Sequence, residues 1–363
     1  MSILLTSYKL GGLELKNRIV MAPLTRGRSD NTGNLATALT AEYYKQRASA
    51  GLIISEGSQI SKMGVGYANT PGIYSEAQTE AWKQVTKAVH DGGGKIFVQL
   101  WHVGRLSHPD FLNTALPWAP SSVPLNYVAR TPDGPKPAPV PHEMTIDEIK
   151  VVIEEFKHAA ANAIQAGFDG VEIHASNGYL IHQFIAPCSN VRTDEYGGSI
   201  ENRSRLLLEI IDEMRNVMPE NRIGVRLNPS YHNDHDMVIT EDTIPTFDYL
   251  INKLNDYKLA YLHLSEPGRR ASESPYAEMN IAKRYRPVYK GNLIINRGFT
   301  FESGNKVIED GLADLVAFGV PFIANPDLVN RFKNNLPLAV ADHSTYYSSG
   351  EIGYTDYPVA ELD

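Results

Sequence analysis

The chain has 363 residues, 42% of them hydrophobic and 21% charged, an ordinary globular composition with enough length to bury a large core. Its net charge of −8 supplies no basic stripe for nucleic acid and opposes binding to an anionic membrane surface. A single cysteine, Cys188, excludes an intramolecular disulfide framework and a four-cysteine iron–sulfur cluster.

Residues 1–16 carry no long apolar run behind a basic stretch, so neither a secretory signal nor a membrane span is expected, and a cytoplasmic location is the default. Beyond them, short apolar runs alternate with amphipathic segments. The runs occupy 19–21, 52–54, 96–98, 171–173, 223–227, 261–264, 293–295 and 315–318. Most are too short for a core helix and β-branched residues are frequent, so they predict strands. Helices are expected between them at 40–48, 76–90, from Thr145 onward, 200–218, 244–254, 302–309 and 326–332. The clearest starts at Thr145, where Ile149, Val152, Ile153, Phe156, Ala160, Ala163 and Ile164 form one apolar stripe. Thr145 and Glu148 make a capping-box pattern, and Gly167 can supply the left-handed residue that ends the helix.

Alternation of this kind means a parallel sheet. Length alone favours two domains, but eight units predict one closed (β/α)8 TIM barrel of the α/β class over residues 1–363, because closure leaves no edge strand. A doubly wound sheet would carry a Gly-x-Gly-x-x-Gly turn after its first strand, and none is present. Gly92, Gly93 and Gly94 precede a strand and read as a turn.

Residues 107–142 interrupt the pattern with nine of the 22 prolines. Proline fixes φ and removes donors, so this segment is expected to be neither helix nor central strand. It follows the third strand, which places it on the C-terminal face of a barrel, where long βα loops build active sites. It reads as a lid or wall over the barrel mouth.

Polar residues unusual for a core collect at the strand ends. Pro23 and Thr25 follow the first strand, and Gly57 the second. Gln99 and Trp101 end the third. His174 and Asn177 follow the fourth, Arg226 ends the fifth, and Gly298 and Gly319 follow the seventh and eighth. In a barrel these positions converge on one mouth. His174 and Asn177 are three apart, so a helical turn would put both on one face, where two neutral donors could hold one oxygen as negative charge builds on it. Tyr179 could supply a proton. Arg226 in the mouth needs an anionic partner, either a ligand or an internal glutamate. Gly298 and Gly319 sit where this fold usually cradles a phosphate. Cys188 and His182 read as structural. His232, His235 and Asp236 look metal-like, but their spacing fits no standard zinc site, and no metal is expected.

With these residues in view, the chain resembles the old yellow enzyme family over nearly its whole length. The resemblance begins at Leu15-Lys-Asn-Arg-Ile-Val-Met-Ala-Pro-Leu-Thr25 and reaches Gly353-Tyr-Thr-Asp-Tyr-Pro358. It is most specific from Gly167-Phe-Asp-Gly-Val-Glu-Ile-His174 through Asn177-Gly-Tyr179 to Arg192-Thr-Asp-Glu-Tyr-Gly-Gly-Ser-Ile-Glu-Asn-Arg203, and Ala324-Asn-Pro-Asp-Leu-Val329 resembles the family's final barrel helix. The resemblance implies a tightly held, noncovalent FMN and a ping-pong cycle. NADPH or NADH reduces the flavin and leaves. An α,β-unsaturated aldehyde, ketone or nitroalkene then takes hydride from flavin N5 at its β-carbon and a proton at its α-carbon.

The resemblance also implies roles. Thr25 would bond flavin O4, Gln99 the pyrimidine edge and Arg226 the N1 side, with Pro23, Gly57, Gly298, Gly319 and Val320 completing the cofactor site. His174 and Asn177 would bind the substrate's activating oxygen, Tyr179 would supply the proton, and Tyr67, Trp101 and Tyr347 would line the substrate side. Thr25 stands where one branch of the family carries a flavin-tuning cysteine, and His-x-x-Asn replaces the His-x-x-His of some bacterial relatives. Many members have arginine where Val320 stands, paired with the FMN phosphate; Arg297 is the substitute that this sequence offers.

The implied partners are small electrophilic alkenes, with no nucleic acid and no membrane, for a monomer or homodimer. Two other readings differ in what they predict. A flavin-free barrel acting on a phosphorylated metabolite explains the Gly298 and Gly319 loops but not the flavin-edge set. A flavin-binding protein without ene-reductase activity would be yellow but would not be bleached by NADPH.

Overall fold

The computed structural model describes residues 2–30 and 32–360. Eight parallel strands close into a barrel in which each pairs with its sequence neighbours and the eighth returns to the first. In chain order they are Ile19–Met21, Leu52–Gln59, Ile96–Trp101, Gly170–His174, Ile223–Leu227, Tyr261–Ser265, Leu293–Asn296 and Leu315–Phe318. Each of the eight apolar runs is a barrel strand.

The apolar runs are continuous because both strand faces are buried. Ile19, Met21, Ile53, Val98 and Val171 point outward into one cluster with the surrounding helices. Val20, Ile54, Phe97, Tyr261 and Leu315 alternate with them and fill the lower interior. An antiparallel hairpin, Tyr8–Leu10 with Leu13–Leu15, adds Leu10, Leu13 and Leu15 to that inner cluster and stoppers the N-terminal end of the barrel. Burying each leucine contributes about 1.5–3 kcal/mol.

Higher on the same inward face the residues become polar. Register aligns Gln99 with Glu172, and His174 with Arg226 and then His263. The apolar runs stopped short of Gln99 and His174, which lie within the strands, as Arg226 does at the end of the fifth, where the sequence placed it. Gly57 also lies within a strand, at a register shift in the second.

Helices ring the barrel at Ala38–Gln46, Glu76–Asp91, Ile146–Gln165, Ile200–Met214, Thr243–Lys253, Phe301–Glu309 and Leu328–Asn334. The Thr145–Glu148 capping box is formed, and Gly167 adopts φ +84° as expected. The helix expected over 200–218 stops at Met214 because the chain must turn before Pro219. Three short helices, Leu180–Ile185, Ile281–Tyr285 and Val320–Ala324, carry no readable period. The proline-rich segment holds a hairpin, Val128–Thr131 with Gly134–Pro137, and a two-residue parallel pair, Trp118–Ala119 with His142–Glu143. Both hairpin strands are edges, which is why they tolerate proline.

Three buried arginines secure the C-terminal segment. Arg26 donates to the carbonyls of Tyr346 and Gly353, and Arg28 to those of Thr345, Tyr346 and Ile352. Arg47 donates to Phe322 and Ile323. Arg26 and Arg28 leave the first strand, so they hold residues 345–353 close to its C-terminal end. Among the described residues no helix is long and apolar enough to cross a membrane.

Candidate active site

The floor of the site is a buried polar chain. Gln99 Nε2 donates to Glu172 Oε1 at 2.8 Å, and Glu172 Oε2 lies 2.8 Å from His263 Nδ1. Burial pushes the Glu172 carboxyl up, but His263, Arg226 and Gln99 outweigh it and hold the group below its usual range. Burial lowers His263 in turn. The pair is therefore a carboxylate accepting from a neutral imidazole, and the balancing charge is Arg226. No carboxylate among the described residues lies within ion-pair distance of Arg226, and its buried Nε has no partner. Burial lowers its pKa while Glu172 opposes the shift, and a guanidinium stays charged. The internal ion pair left open by the sequence is thus only a longer-range attraction.

An aromatic wall stands beside this floor. Trp101 stacks on Tyr67 with ring centroids 5.4 Å apart and meets Tyr179 edge-on at 5.0 Å. His174 lies 4.9 Å from Tyr179 and 6.3 Å from Trp101. Gly57 makes room for this wall, because a Cβ there would come within 2.6 Å of the Trp101 ring. Burial, then the charge of Arg226, holds His174 well below the usual histidine value, so it is neutral. Burial pushes the Tyr179 phenol up to about 12, and its hydroxyl lies 3.4 Å from that of Tyr67.

The expected helical turn between His174 and Asn177 does not form. Asn177 is left-handed at φ +57° and Gly178 follows at +80°, a conformation asparagine tolerates better than most residues. The turn instead directs Asn177 to Asn228, whose Nδ2 donates to Asn177 Oδ1 at 2.9 Å. Ser176 Oγ lies 3.1 Å from His174 Nδ1.

Beside the floor and wall is a cavity of about 310 Å³, within the range of small-molecule sites. Pro23, Asn177, Arg226, Gly298, Gly319 and Val320 all line it. Its polar groups include Asn296, whose Oδ1 is buried without a partner, and Arg297. Arg297 is left-handed at φ +79°, and its side chain makes no hydrogen bond or ion pair among the described residues. Val320 is 57% exposed in the cavity wall and brings no charge. Thr25 follows Leu24 of that wall, and its side chain is likewise without a hydrogen bond. Tyr347 is 62% exposed, stands beside Tyr346, and adds to burial in raising Tyr179.

Several residues of this neighbourhood were missed. Glu172 and His263 lie inside apolar runs. Tyr127 comes from the proline-rich segment and sits 5.5 Å from His235. His235 itself, set aside as part of a non-site, lies against the Asn177 carbonyl at 3.4 Å and takes part with Tyr231 in a 2.8 Å hydrogen bond. Its signal was position, since the segment follows the fifth strand. His232 accepts from the Ile239 amide, and Asp236 from the Asn126 amide. His182 accepts from the Gly178 amide, the structural role expected of it. Cys188 Sγ accepts from the Val238 amide.

The model of the NADH:flavin oxidoreductase / NADH oxidase family matches residues 4–339. The chain is 44% identical over 362 residues to 12-oxophytodienoate reductase 1 of Oryza sativa subsp. japonica, covering 99% of this chain and 93% of that one. It is 40% identical to 12-oxophytodienoate reductase 2 of Arabidopsis thaliana, with 99% and 96% covered. Among solved structures, an old yellow enzyme homologue from Zymomonas mobilis superposes with a TM-score of 0.93 at 41% identity, over 98% of this chain and 99% of that one. Morphinone reductase in complex with tetrahydroNAD gives 0.92 at 41% identity, over 99% and 98%. A barrel with this inner polar face, matched end to end by these relatives, belongs to the old yellow enzyme family of FMN-dependent, NAD(P)H-using oxidoreductases.

Proposed function

We propose that the enzyme is an ene-reductase that takes electrons from NADPH and delivers them to small α,β-unsaturated aldehydes, ketones or nitroalkenes. FMN, when bound, supplies the hydride chemistry that links the two half-reactions. The residues present fit that group. Arg226 offers a buried, unpartnered Nε and a positive charge that suits the electron-rich N1 side of the ring. Gln99, fixed by Glu172, suits the pyrimidine edge, and Thr25 suits O4. Gly298 and Gly319 border the cavity where the phosphate would lie.

His174 and Asn177 hold the activating oxygen of the alkene. Ser176 Oγ lies 3.1 Å from His174 Nδ1, and in the tautomer we assign, the hydroxyl donates there and the imidazole proton sits on Nε2. With its Oδ1 occupied by Asn228, Asn177 keeps its amide N–H groups for substrate. Both donors are neutral, so they strengthen as charge develops on the oxygen. Tyr179 holds its proton up to about pH 12 and delivers it from the hydroxyl that faces Tyr67. Tyr67, Trp101, Tyr127 and Tyr347 exclude water from this side, and the proline-rich segment that carries Tyr127 acts as its wall. We place the enzyme in the cytoplasm as a monomer or homodimer, in keeping with a single unpaired cysteine.

The observation that carries this reading is the aromatic wall of Trp101, His174 and Tyr179 set beside Arg226, whose buried Nε has no partner among the described residues. The test is an anaerobic titration of the flavin band. NADPH should bleach it and cyclohexenone should restore it. A yellow protein that NADPH does not bleach would be a flavin-binding protein, and bleaching that cyclohexenone does not reverse would remove the ene-reductase assignment. Acid release should yield FMN, and recovery of FAD would contradict the cofactor site.

A further inference from the structure

A second cavity, of about 480 Å³, adjoins the first, with Arg297 lining both. The other charged members of its wall are Arg269, Arg270 and Asp234, with Tyr231 and His232 beside them. Three guanidinium groups thus face one carboxylate, on a chain whose net charge is −8. Arg270 donates to the Asn233 carbonyl and meets Asp234 at 3.7 Å. Glu273, outside the wall, accepts from the Asn233 amide at 2.6 Å. The side chains of Arg269 and Arg297 make no hydrogen bond or ion pair among the described residues. Arg297 lies over Gly268, where a Cβ would come within 2.5 Å of its Nη2, so glycine at 268 lets the guanidinium face this groove.

Uncommitted arginines at one concave site match a phosphate monoester, whose oxygens accept paired N–H donors. The groove also begins next to the substrate site. Its wall residue Tyr231 shares a hydrogen bond with His235, and His235 reaches the Asn177 carbonyl. A dinucleotide whose nicotinamide ring lies at Asn177 must run its adenosine end outward over the loops that follow the strands. An arginine beside the adenosine ribose is the usual means of accepting a 2′-phosphate.

We infer that Arg269 and Arg270, in the groove beside Arg297, bind the 2′-phosphate of the electron donor and set a preference for NADPH over NADH. This rests on the reading above in which the donor's nicotinamide enters the His174–Asn177 site. Asp234 tempers the groove's charge.

Two measurements on the FMN-loaded enzyme test it. Calorimetry with adenosine 2′,5′-bisphosphate and with AMP should show the bisphosphate binding at least tenfold more tightly. The Arg269→Ala/Arg270→Ala variant should lose that difference, and Asp234→Asn should widen it. Stopped-flow reduction should show the ratio of NADH to NADPH dissociation constants falling roughly ten- to hundredfold in the double arginine variant. Equal binding of bisphosphate and AMP to the parent enzyme, or an unchanged donor ratio in the variant, would overturn the inference. If bisphosphate binds selectively yet neither nicotinamide donor bleaches the flavin, the groove stands and the ene-reductase reading falls.

Discussion

Asn228 donates from Nδ2 to Oδ1 of Asn177 across 2.9 Å, clasping the turn after the fourth strand to the end of the fifth. Because Asn177 sits in a left-handed turn without helical support, this bond fixes which way its amide faces. Asn228→Ala should therefore slow re-oxidation by cyclohexenone about tenfold, an effect of roughly 1.4 kcal/mol. In an Asn177→Ala background the same substitution should do little, because it acts through that amide. Additive losses in the double variant would show that Asn228 works by another route.

His174→Ala removes one donor to the developing negative charge. Loss of such a donor costs about 10²–10³ in rate. Re-oxidation by enone should fall by that factor, and some nicotinamide binding should go with it. Oxygen needs no carbonyl grip, so re-oxidation by air should change far less. Stopped-flow recovery of the flavin band separates the two. A parental rate with enone would mean the substrate oxygen lies elsewhere.

Tyr179 is half-buried, and desolvation pushes its phenol up to about 12, so it remains a proton donor across the working range. Tyr179→Phe should slow simple enones, whose carbanion needs a proton, and affect nitroalkene hydride transfer much less, since a nitronate persists unprotonated. The parent's enone rate should show no Tyr179 titration between pH 6 and about 10. A step in that window that vanishes in the phenylalanine variant would show that the phenol ionises far more easily.

Arg297 lines the cavity proposed for the flavin phosphate, where Val320 supplies no cation. Its replacement by alanine should weaken FMN retention by about 1.5–3 kcal/mol, or roughly ten- to hundredfold in dissociation constant. Riboflavin, which lacks the phosphate, should bind both proteins alike. If FMN affinity is unchanged while NADPH binding weakens, Arg297 serves the neighbouring groove alone.

Glu56 lies buried in the second strand, and burial pushes its carboxyl from 4.5 up to about 7, against the pull of the Arg26 amide and side chain. The folded form thus holds a proton that the unfolded chain releases above its ordinary pKa. Stability from this group is present below about pH 4.5 and is lost as pH rises to about 7, by roughly 3 kcal/mol in all. Glu56→Gln should flatten this part of the profile in denaturant melts at pH 5 and pH 7.5. Equal slopes for parent and variant would place the ionised carboxylate comfortably inside the fold.

The sequence was most readable where both faces of a strand are apolar. That is why all eight barrel strands were found, with Ile19–Met21, Ile223–Leu227 and Leu315–Phe318 read to their full bounds and the other five cut short. The second strand continues through Ser55, Glu56, Gly57, Ser58 and Gln59, all buried and mostly polar, and hydrophobicity could not follow it. The N-terminal hairpin was lost because three-residue strands show too little alternation. At the site, single residues with unusual chemistry stood out, Arg226 and His174 among them. Their orientation did not, because it depends on Asn228, Ser176 and a left-handed turn that spacing alone reads as helical. Glu172 and His263 passed unnoticed because a charge flanked by valine, isoleucine and leucine looks like a tolerated exception until register sets the two side by side.

The leucines of the N-terminal hairpin have a consequence for traffic. With Leu10, Leu13 and Leu15 corking one end of the barrel, the described residues leave the pocket to open at the other, where the loops lie. Whatever brings electrons and whatever takes them away must use the same opening, one after the other. On this view the alternation of the two half-reactions is a matter of architecture: a dead-end vessel admits the second visitor only after the first has left.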